Sequence, residues 1–444
     1  MKLSIEVQML TRPPAGIYRY AINLLQHLSS QTPAVTLAPF VFSDEWLEPY
    51  DPGVFQEIFR QGIIGKYHAS GRCDEEVVQH GPPWCNRAHQ CAKNRFAEEN
   101  RCGRRSACPA WLKLRREWFR CLVRLQLSFR AWQAKAGRNL LFDPHSDLVH
   151  SLYLPFPPEV FARKRRPKLC QTVHDIIPII DDSLSADPGS GSFHPFIESA
   201  RGVDVVLVPS ESTKRDLLSL GGFDEGRIVV TPLAVDAKFF PATVDEIGAV
   251  RARHGIAAGE DYFLSVSTLE PRKNFPFLLR CFRDLIAMPG GKSCKLVITG
   301  RVGWGDAVNH EIRSLLDALR DHVVYPGFVD DDSLRALYSG ASAFLMPSLY
   351  EGFGLPVLEA MACGTPVIAS DTSSLPEVLG DAGVKVAPSD RDGWIDAMRS
   401  ILAASDSEAG HRSQQSLRRA SCFSWEATAR QTMRAYKDVG RKVS

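Results

Sequence analysis

Residues 343–369 run Ala343-Phe344-Leu345-Met346, Pro347-Ser348-Leu349-Tyr350, Glu351-Gly352-Phe353-Gly354-Leu355, Pro356-Val357-Leu358-Glu359-Ala360-Met361-Ala362, Cys363-Gly364-Thr365-Pro366, Val367-Ile368-Ala369. The first four residues are an apolar run of strand length. A loop with two glycines follows, and the spacing then predicts a short helix over Pro356–Ala362, closed by Gly364. Proline suits a helix start, where its missing N–H costs nothing. Val367–Ala369 is the next strand. Strand, loop, helix and strand in that order make a βαβ unit, which implies parallel strands.

The same alternation continues upstream. Tyr262–Ser267, Lys295–Thr299 and Val323–Tyr325 read as strands, with a helix at Phe275–Ala287 and further helical runs at Glu311–Leu319 and Asp332–Gly340. A weaker stretch, Asp236–Ala258, separates this half from an earlier one. There Leu3–Met9, Leu148–Ser151, Lys168–Val173, Val203–Pro209 and Arg227–Pro232 read as strands. Ile17–Leu28 has helical spacing, and Ser210-Glu211-Ser212-Thr213 precedes a helix that Gly221-Gly222 stops. Strands interleaved with helices predict an α/β protein whose parallel sheets are covered on both faces. The expected organisation is an N-terminal domain over 1–235 with an irregular insertion at about 65–110, a C-terminal domain over 236–422, and a helix and tail over 423–444. Ligands of such folds bind at the carboxyl ends of the strands.

Composition narrows the class. A length of 444 residues favours two domains. Apolar residues at 44% and charged residues at 23% exclude collagen, coiled coil and wholesale disorder. A net charge of +2 gives no global signal for nucleic acid, and none is expected as a partner. No run of 18 apolar residues predicts a transmembrane helix. The start, Met1-Lys2-Leu3-Ser4-Ile5-Glu6-Val7, reads as a first strand rather than a secretory signal, so the expected compartment is the cytoplasm. Of eleven cysteines, Cys73, Cys85, Cys91, Cys102 and Cys108 fall within 36 residues without a C-x-x-C pair. Reduced thiols are expected, with no metal site.

Four pieces carry chemistry. Gly352 and Gly354 permit a tight loop and close backbone approach by a ligand, and the helix start after it favours an anion. Glu351 and Glu359 would repel that anion and suit neutral hydroxyls instead. A capped loop–helix junction with an acidic first turn accounts for the same spacing. Ser267-Thr268-Leu269-Glu270-Pro271-Arg272-Lys273-Asn274 follows a strand end and places Arg272 and Lys273 where a diphosphate could be neutralised. The alternative is a solvated basic pair. His174, in Thr172-Val173-His174-Asp175-Ile176-Ile177-Pro178, directly follows another strand. Gly16 opens the first helix.

Together these pieces resemble the retaining glycosyltransferases of the GT-B fold known as family 4 or group 1. The resemblance covers about 1–40 and 145–400. Its most specific element is the Glu-x7-Glu pair Glu351/Glu359 in EGFGLPVLE, followed by EPRKN at 270–274. VHDIIP at 173–178, Ser210–Lys214 and Gly327-Phe328-Val329 also fit. The family implies two Rossmann-like domains facing each other across a cleft. It implies Glu351 on the sugar hydroxyls of a nucleotide-sugar donor and Glu359 on the ribose. Arg272 and Lys273 would hold the diphosphate, His174 would contact the sugar near the reacting face, and Gly16 would let the first loop approach the phosphates. The backbone of Phe353, Gly354 and Leu355 would line the pocket. The implied reaction retains anomeric configuration and needs neither metal nor cofactor. Asp330-Asp331-Asp332 reads as a helix start rather than a metal motif.

Gly16-Ile17-Tyr18-Arg19-Tyr20 and Gly303-Trp304 resemble bacterial mannosyltransferases of surface polysaccharide assembly. GDP-mannose is the first donor implied and a UDP-hexose the second, with a saccharide or lipid-linked saccharide as acceptor. A nucleotide-sugar epimerase on the same fold and a non-catalytic membrane-associated binding protein are the alternatives from other classes.

The span 87–138 holds fourteen Lys/Arg against three Glu. Within it Trp111, Leu114, Trp118, Cys121, Leu125, Phe129 and Trp132 recur at helical steps. A basic amphipathic helix of this kind can rest on an anionic membrane. An ordinary domain helix with an apolar core face and solvated arginines has the same pattern.

Overall fold

The computed structural model describes residues 2–6, 16–31, 36–40, 146–163, 165–184, 193–288 and 294–441. The expected insertion at 65–110 and the basic stretch at 87–138 lie outside the described residues. Two compact units divide the chain, Met1–Thr172 with Tyr436–Ser444, and Val173–Ala435.

The first unit carries β1 (Lys2–Glu6), β2 (Thr36–Phe40), β3 (Leu148–Ser151) and β4 (Lys168–Thr172), in the order β2-β1-β3-β4. All pairings are parallel, with Leu3 opposite Leu37 on one side and Leu148 on the other. β3 is buried along its whole length, as a strand covered on both faces must be. The first helix spans Gly16–Gln31, with Gly16 at its start as the sequence suggests. Its stripe Ala21, Leu24, Leu25 and Leu28 is buried. A buried polar network completes this core. The Thr172 hydroxyl lies 3.0 Å from Tyr20 Oη and 2.8 Å from His150 Nε2, and His150 Nδ1 lies 2.6 Å from Tyr436 Oη. Each polar group buried here thereby recovers a partner for the water it loses.

The second unit holds the parallel pair β5 (Val205–Val208) and β6 (Ile228–Val230), then a six-stranded sheet. Its strands are β7 (Asp261–Val266), β8 (Cys294–Thr299), β9 (Val323–Gly327), β10 (Ala343–Met346), β11 (Val367–Ser370) and β12 (Val384–Val386). Their order is β12-β11-β10-β7-β8-β9, all parallel. The chain winds from β7 outward to β9, returns to β10 beside β7, and winds the other way. That reversal opens a crevice at the carboxyl ends of β7 and β10. Phe263, Phe282, Leu345 and Trp394 fill the core beneath it.

Ten strands fall where the apolar runs predict, with ends that agree or shift by up to three residues, whereas β2 and β12 are not anticipated. The weak stretch 236–258 contains a helix, Val244–Arg253. Only Val250 on it is buried, so it carries no apolar stripe. Its start rests on a capping box in which Thr243 and Glu246 satisfy each other's backbone N–H. Asp330 caps the helix Asp331–Gly340 by accepting from Ser333 N, as expected. Cys170, Cys281, Cys294 and Cys363 are buried free thiols and Cys422 an exposed one.

Candidate active site

The two loops at the crevice are those after β7 and β10, and hydrogen bonds to their backbones hold both. After β7, Pro271–Lys273 form one turn of 3-10 helix that ends on Asn274 at φ 58°. Asparagine tolerates this left-handed conformation better than most residues. Its side-chain amide donates to the carbonyls of Pro347 and Pro388. Leu349 N in turn donates to Arg272 O at 2.8 Å, which fastens the second loop to the first.

After β10 the chain runs to Gly354, at φ 109°, which precedes the helix Leu355–Ala362. Ser373 Oγ accepts from Glu351 N at 2.9 Å. The Ser374 hydroxyl reaches the carbonyls of Glu351 and Phe353. Gly352 sits against the backbone at His174 and Asp175. A Cβ there would lie 2.3 Å from His174 O and 2.9 Å from Asp175 Cβ. Ser210 Oγ and Thr213 Oγ1 donate to Gly352 O at 2.8 and 3.3 Å. The helix those two residues begin is held further by Glu377, whose carboxylate accepts from Glu211 N and Ser212 N.

These anchors bring five side chains into one charged chain. Lys273 Nζ donates to Glu351 Oε1 at 2.6 Å, and Arg272 Nη1 to Glu351 Oε2 at 2.7 Å. Arg272 Nη2 donates to Glu270 Oε1 at 2.7 Å, and Trp304 Nε1 to Glu270 Oε2 at 3.2 Å. The Arg272 and Lys273 side chains are only 18% and 11% exposed, which excludes a solvated basic pair. Burial raises the Glu351 carboxyl, but Arg272 and Lys273 outweigh it and hold the group down at about 2. Glu351 is therefore ionised at neutral pH. Burial pushes the Lys273 ammonium below its ordinary range against the pull of Glu351.

Of the residues expected in the site, Arg272, Lys273 and Glu351 touch directly. His174, half-buried, contributes its backbone carbonyl to the packing against Gly352. Phe353 is buried, with its ring edge-on to that of Phe423 at 5.9 Å. Leu355 begins the helix after Gly354. Glu359 is buried in the second turn of that helix and accepts from Tyr338 Oη at 3.1 Å. The helix has no acidic residue in its first turn, so the capped-junction alternative is not what the pair represents. Gly16 belongs to the other unit. Sequence reasoning left out Glu270 and Asp175. Both lie inside the quoted motifs, Glu270 two positions before Arg272 and Asp175 next to His174.

The chain resembles known glycosyltransferases in sequence and in fold. Residues 247–418 match the family described as Glycosyl transferases group 1, and residues 92–239 match Glycosyltransferase Family 4. Escherichia coli O-antigen chain mannosyltransferase B is 36% identical over 249 residues, 55% of this chain and 63% of that protein. Serotype-specific mannosyltransferase WbdA, also from Escherichia coli, is 29% identical over 266 residues, 58% of this chain and 32% of the relative. The chain thus spans less than two thirds of these relatives' lengths. Sucrose-phosphate synthase from Thermosynechococcus elongatus shares the fold, with a TM-score of 0.65 at 21% identity over the full length of both chains. With a family model matched in each half, the chain belongs to the group 1/family 4 glycosyltransferases of the GT-B fold.

Proposed function

We propose that this protein moves mannose from GDP-mannose, or failing that a hexose from a UDP-hexose, to a saccharide or lipid-linked saccharide acceptor in surface polysaccharide assembly. The buried set Arg272–Glu351–Lys273 at the crevice carries the reading. Two cations held 2.6–2.7 Å from one carboxylate can exchange that partner for a diphosphate, which frees Glu351 for the sugar hydroxyls. The mannosyltransferase names of the relatives support the choice of sugar.

In the proposed reaction the anomeric C–O bond to the diphosphate breaks as the acceptor oxygen bonds to the same face. The acceptor's proton passes to the leaving phosphate. Negative charge grows on that phosphate, and Arg272 and Lys273 are the groups placed to receive it. They do the work that a metal does in other transferases, and none is required. A panel of nucleotide sugars ranked by thermal shift, followed by product and anomer analysis with the best binder, tests the donor, the transfer and the retention. Conversion of donor without acceptor would favour an epimerase instead.

Arg272→Ala and Lys273→Ala are expected to lower turnover at least tenfold each with smaller changes in KM, because their charge matters most as the phosphate leaves. Activity within about threefold of the parent, under 1 kcal/mol, would remove them from the mechanism. EDTA is expected to leave the rate unchanged, and a loss restored by magnesium would overturn the metal-free reading.

Glu359 is proposed to bind the ribose. Glu359→Ala is expected to weaken nucleoside diphosphate binding about ten- to a hundredfold, as loss of a charged hydrogen bond of roughly 1.5–3 kcal/mol implies. Equal affinity of variant and parent by calorimetry would rule out that role.

The basic stretch 87–138 is proposed to rest on an anionic membrane, near a lipid-linked acceptor. Among the described residues no helix is long and apolar enough to cross a membrane. Flotation is expected with anionic vesicles and to weaken with salt, since each Lys or Arg near such a surface contributes about 1 kcal/mol. Equal recovery with neutral vesicles would return the stretch to an ordinary helix face.

A further inference from the structure

The motif Ser210–Lys214 has no role in the mechanism above. It opens the helix Glu211–Ser219, which follows β5, and Ser210 caps that helix by accepting from Thr213 N at 3.1 Å. Three sets of hydrogen bonds join this helix to the loops of the six-stranded sheet. Ser210 Oγ and Thr213 Oγ1 donate to Gly352 O at 2.8 and 3.3 Å. Tyr350 Oη donates to Asp216 Oδ2. Glu377 accepts from Glu211 N and Ser212 N, both at 2.9 Å.

The first two sets engage the residues immediately before and after Glu351. The third engages the short helix Leu375–Leu379, which follows Ser373 and Ser374. Those two serines in turn hold Glu351 at its N–H and at its carbonyl. Glu351 is thus flanked on both sides by residues bonded to one helix, and its backbone rests on a segment bonded to the same helix. Arg272 and Lys273 are fixed differently. Arg272 is bonded to Glu270, and the turn Pro271–Lys273 is closed by Asn274, whose amide reaches Pro347 O and Pro388 O. The helix Glu211–Ser219 therefore bears on the carboxylate expected to meet the sugar and leaves the expected diphosphate cations on their own supports. Among the three sets, the Tyr350–Asp216 bond joins two side chains, so it can be removed without touching a backbone group.

We propose that Asp216 is a positioning residue for Glu351, acting through the Tyr350 hydroxyl, so that the helix Glu211–Ser219 governs how the site treats the sugar of its donor and not how it treats the nucleoside diphosphate. This rests on the donor-site reading given above. A carboxylate held from both flanks keeps its oxygens in register with the sugar hydroxyls, and loosening one flank costs rate through misplacement rather than through lost charge.

The test is calorimetry with GDP and GDP-mannose, and with UDP and UDP-glucose, together with turnover on whichever sugar nucleotide the parent uses. Tyr350→Phe and Asp216→Ala are each expected to bind the nucleoside diphosphate within about threefold of the parent, to lose about tenfold in turnover, and to lower the ratio of sugar-nucleotide to diphosphate affinity about fivefold, as loss of one hydrogen bond implies. Asp216→Asn keeps an acceptor for the phenol and is expected to restore turnover and ratio to within about threefold of the parent. The double variant Tyr350→Phe/Asp216→Ala is expected to match the single ones within about twofold, because all three remove the same bond. Glu225→Gln breaks the ion pair that Lys214 of the same helix makes at 3.0 Å, and is expected to leave turnover and ratio unchanged. Parent-like turnover and ratio in Tyr350→Phe and Asp216→Ala overturn the proposal, as do additive losses in the double variant or a loss that Asp216→Asn does not restore. An equal fall in affinity for diphosphate and sugar nucleotide overturns it too, since that marks general damage rather than a misplaced Glu351. A parent that binds none of the four nucleotides rejects the donor site and the role of Asp216 together, whereas a parent that binds them and variants that match it reject Asp216 alone.

Discussion

Glu351→Gln is expected to abolish transfer and to lower stability together. The carboxylate takes Lys273 on one oxygen and Arg272 on the other. A neutral amide can face at most one of them as an acceptor, and Lys273 is left buried without its counter-charge. Removing one partner of a buried ion pair costs roughly 3–5 kcal/mol, because the remaining charge stays desolvated. Turnover is expected to drop at least a hundredfold, since the same cations lose their alignment for the leaving phosphate. Stability has its own pH signature. The Glu351 carboxyl sits at about 2 in the folded protein, below its unfolded value of about 4.3. Its contribution is therefore full above the unfolded value and is lost as the pH falls toward the folded one. The melting temperatures of parent and variant are expected to differ most at neutral pH and to converge between about pH 4 and 2. A constant gap would show that the loss comes from packing rather than charge.

Gly352→Ala is expected to have the second largest effect. The new methyl would lie 2.3 Å from His174 O and 2.9 Å from Asp175 Cβ, and a carbonyl is not a flexible side-chain tip. The loop cannot simply retreat, because its own carbonyl is held by Ser210 and Thr213. Overpacking of this kind costs roughly 1–3 kcal/mol. A displacement of Glu351 by about 1 Å is enough to cost roughly a hundredfold in rate. Gly248, inside the helix Val244–Arg253, is the matched control. A Cβ there meets nothing within 4 Å, and alanine is expected to stabilise by about 0.5–1 kcal/mol. Full activity in Gly352→Ala, with the control behaving as stated, would mean that the close approach at His174 has no part in the site.

The order of strands and helices was legible because burial on both faces forces near-continuous apolar runs such as Val205–Val208 and Ala343–Met346. EGFGLPVLE and EPRKN were legible as site pieces for a local reason. Two glycines, a proline at a helix start and a basic pair after a strand each limit what the backbone there can do. The helix Val244–Arg253 was not legible as an apolar pattern, since it buries one residue and depends on a four-residue cap. Pairings across distance were not legible at all. That Glu351 lies between Arg272 and Lys273 depends on β10 returning beside β7, that Glu270 ties Arg272 to Trp304 depends on β8 lying beside β7, and that Gly352 rests on the backbone of His174 joins residues 178 positions apart. Spacing along the chain sets which groups a loop offers. Strand order sets which loops meet, and only their meeting turned a basic pair and an acidic residue some 80 positions apart into one buried, mutually neutralised set.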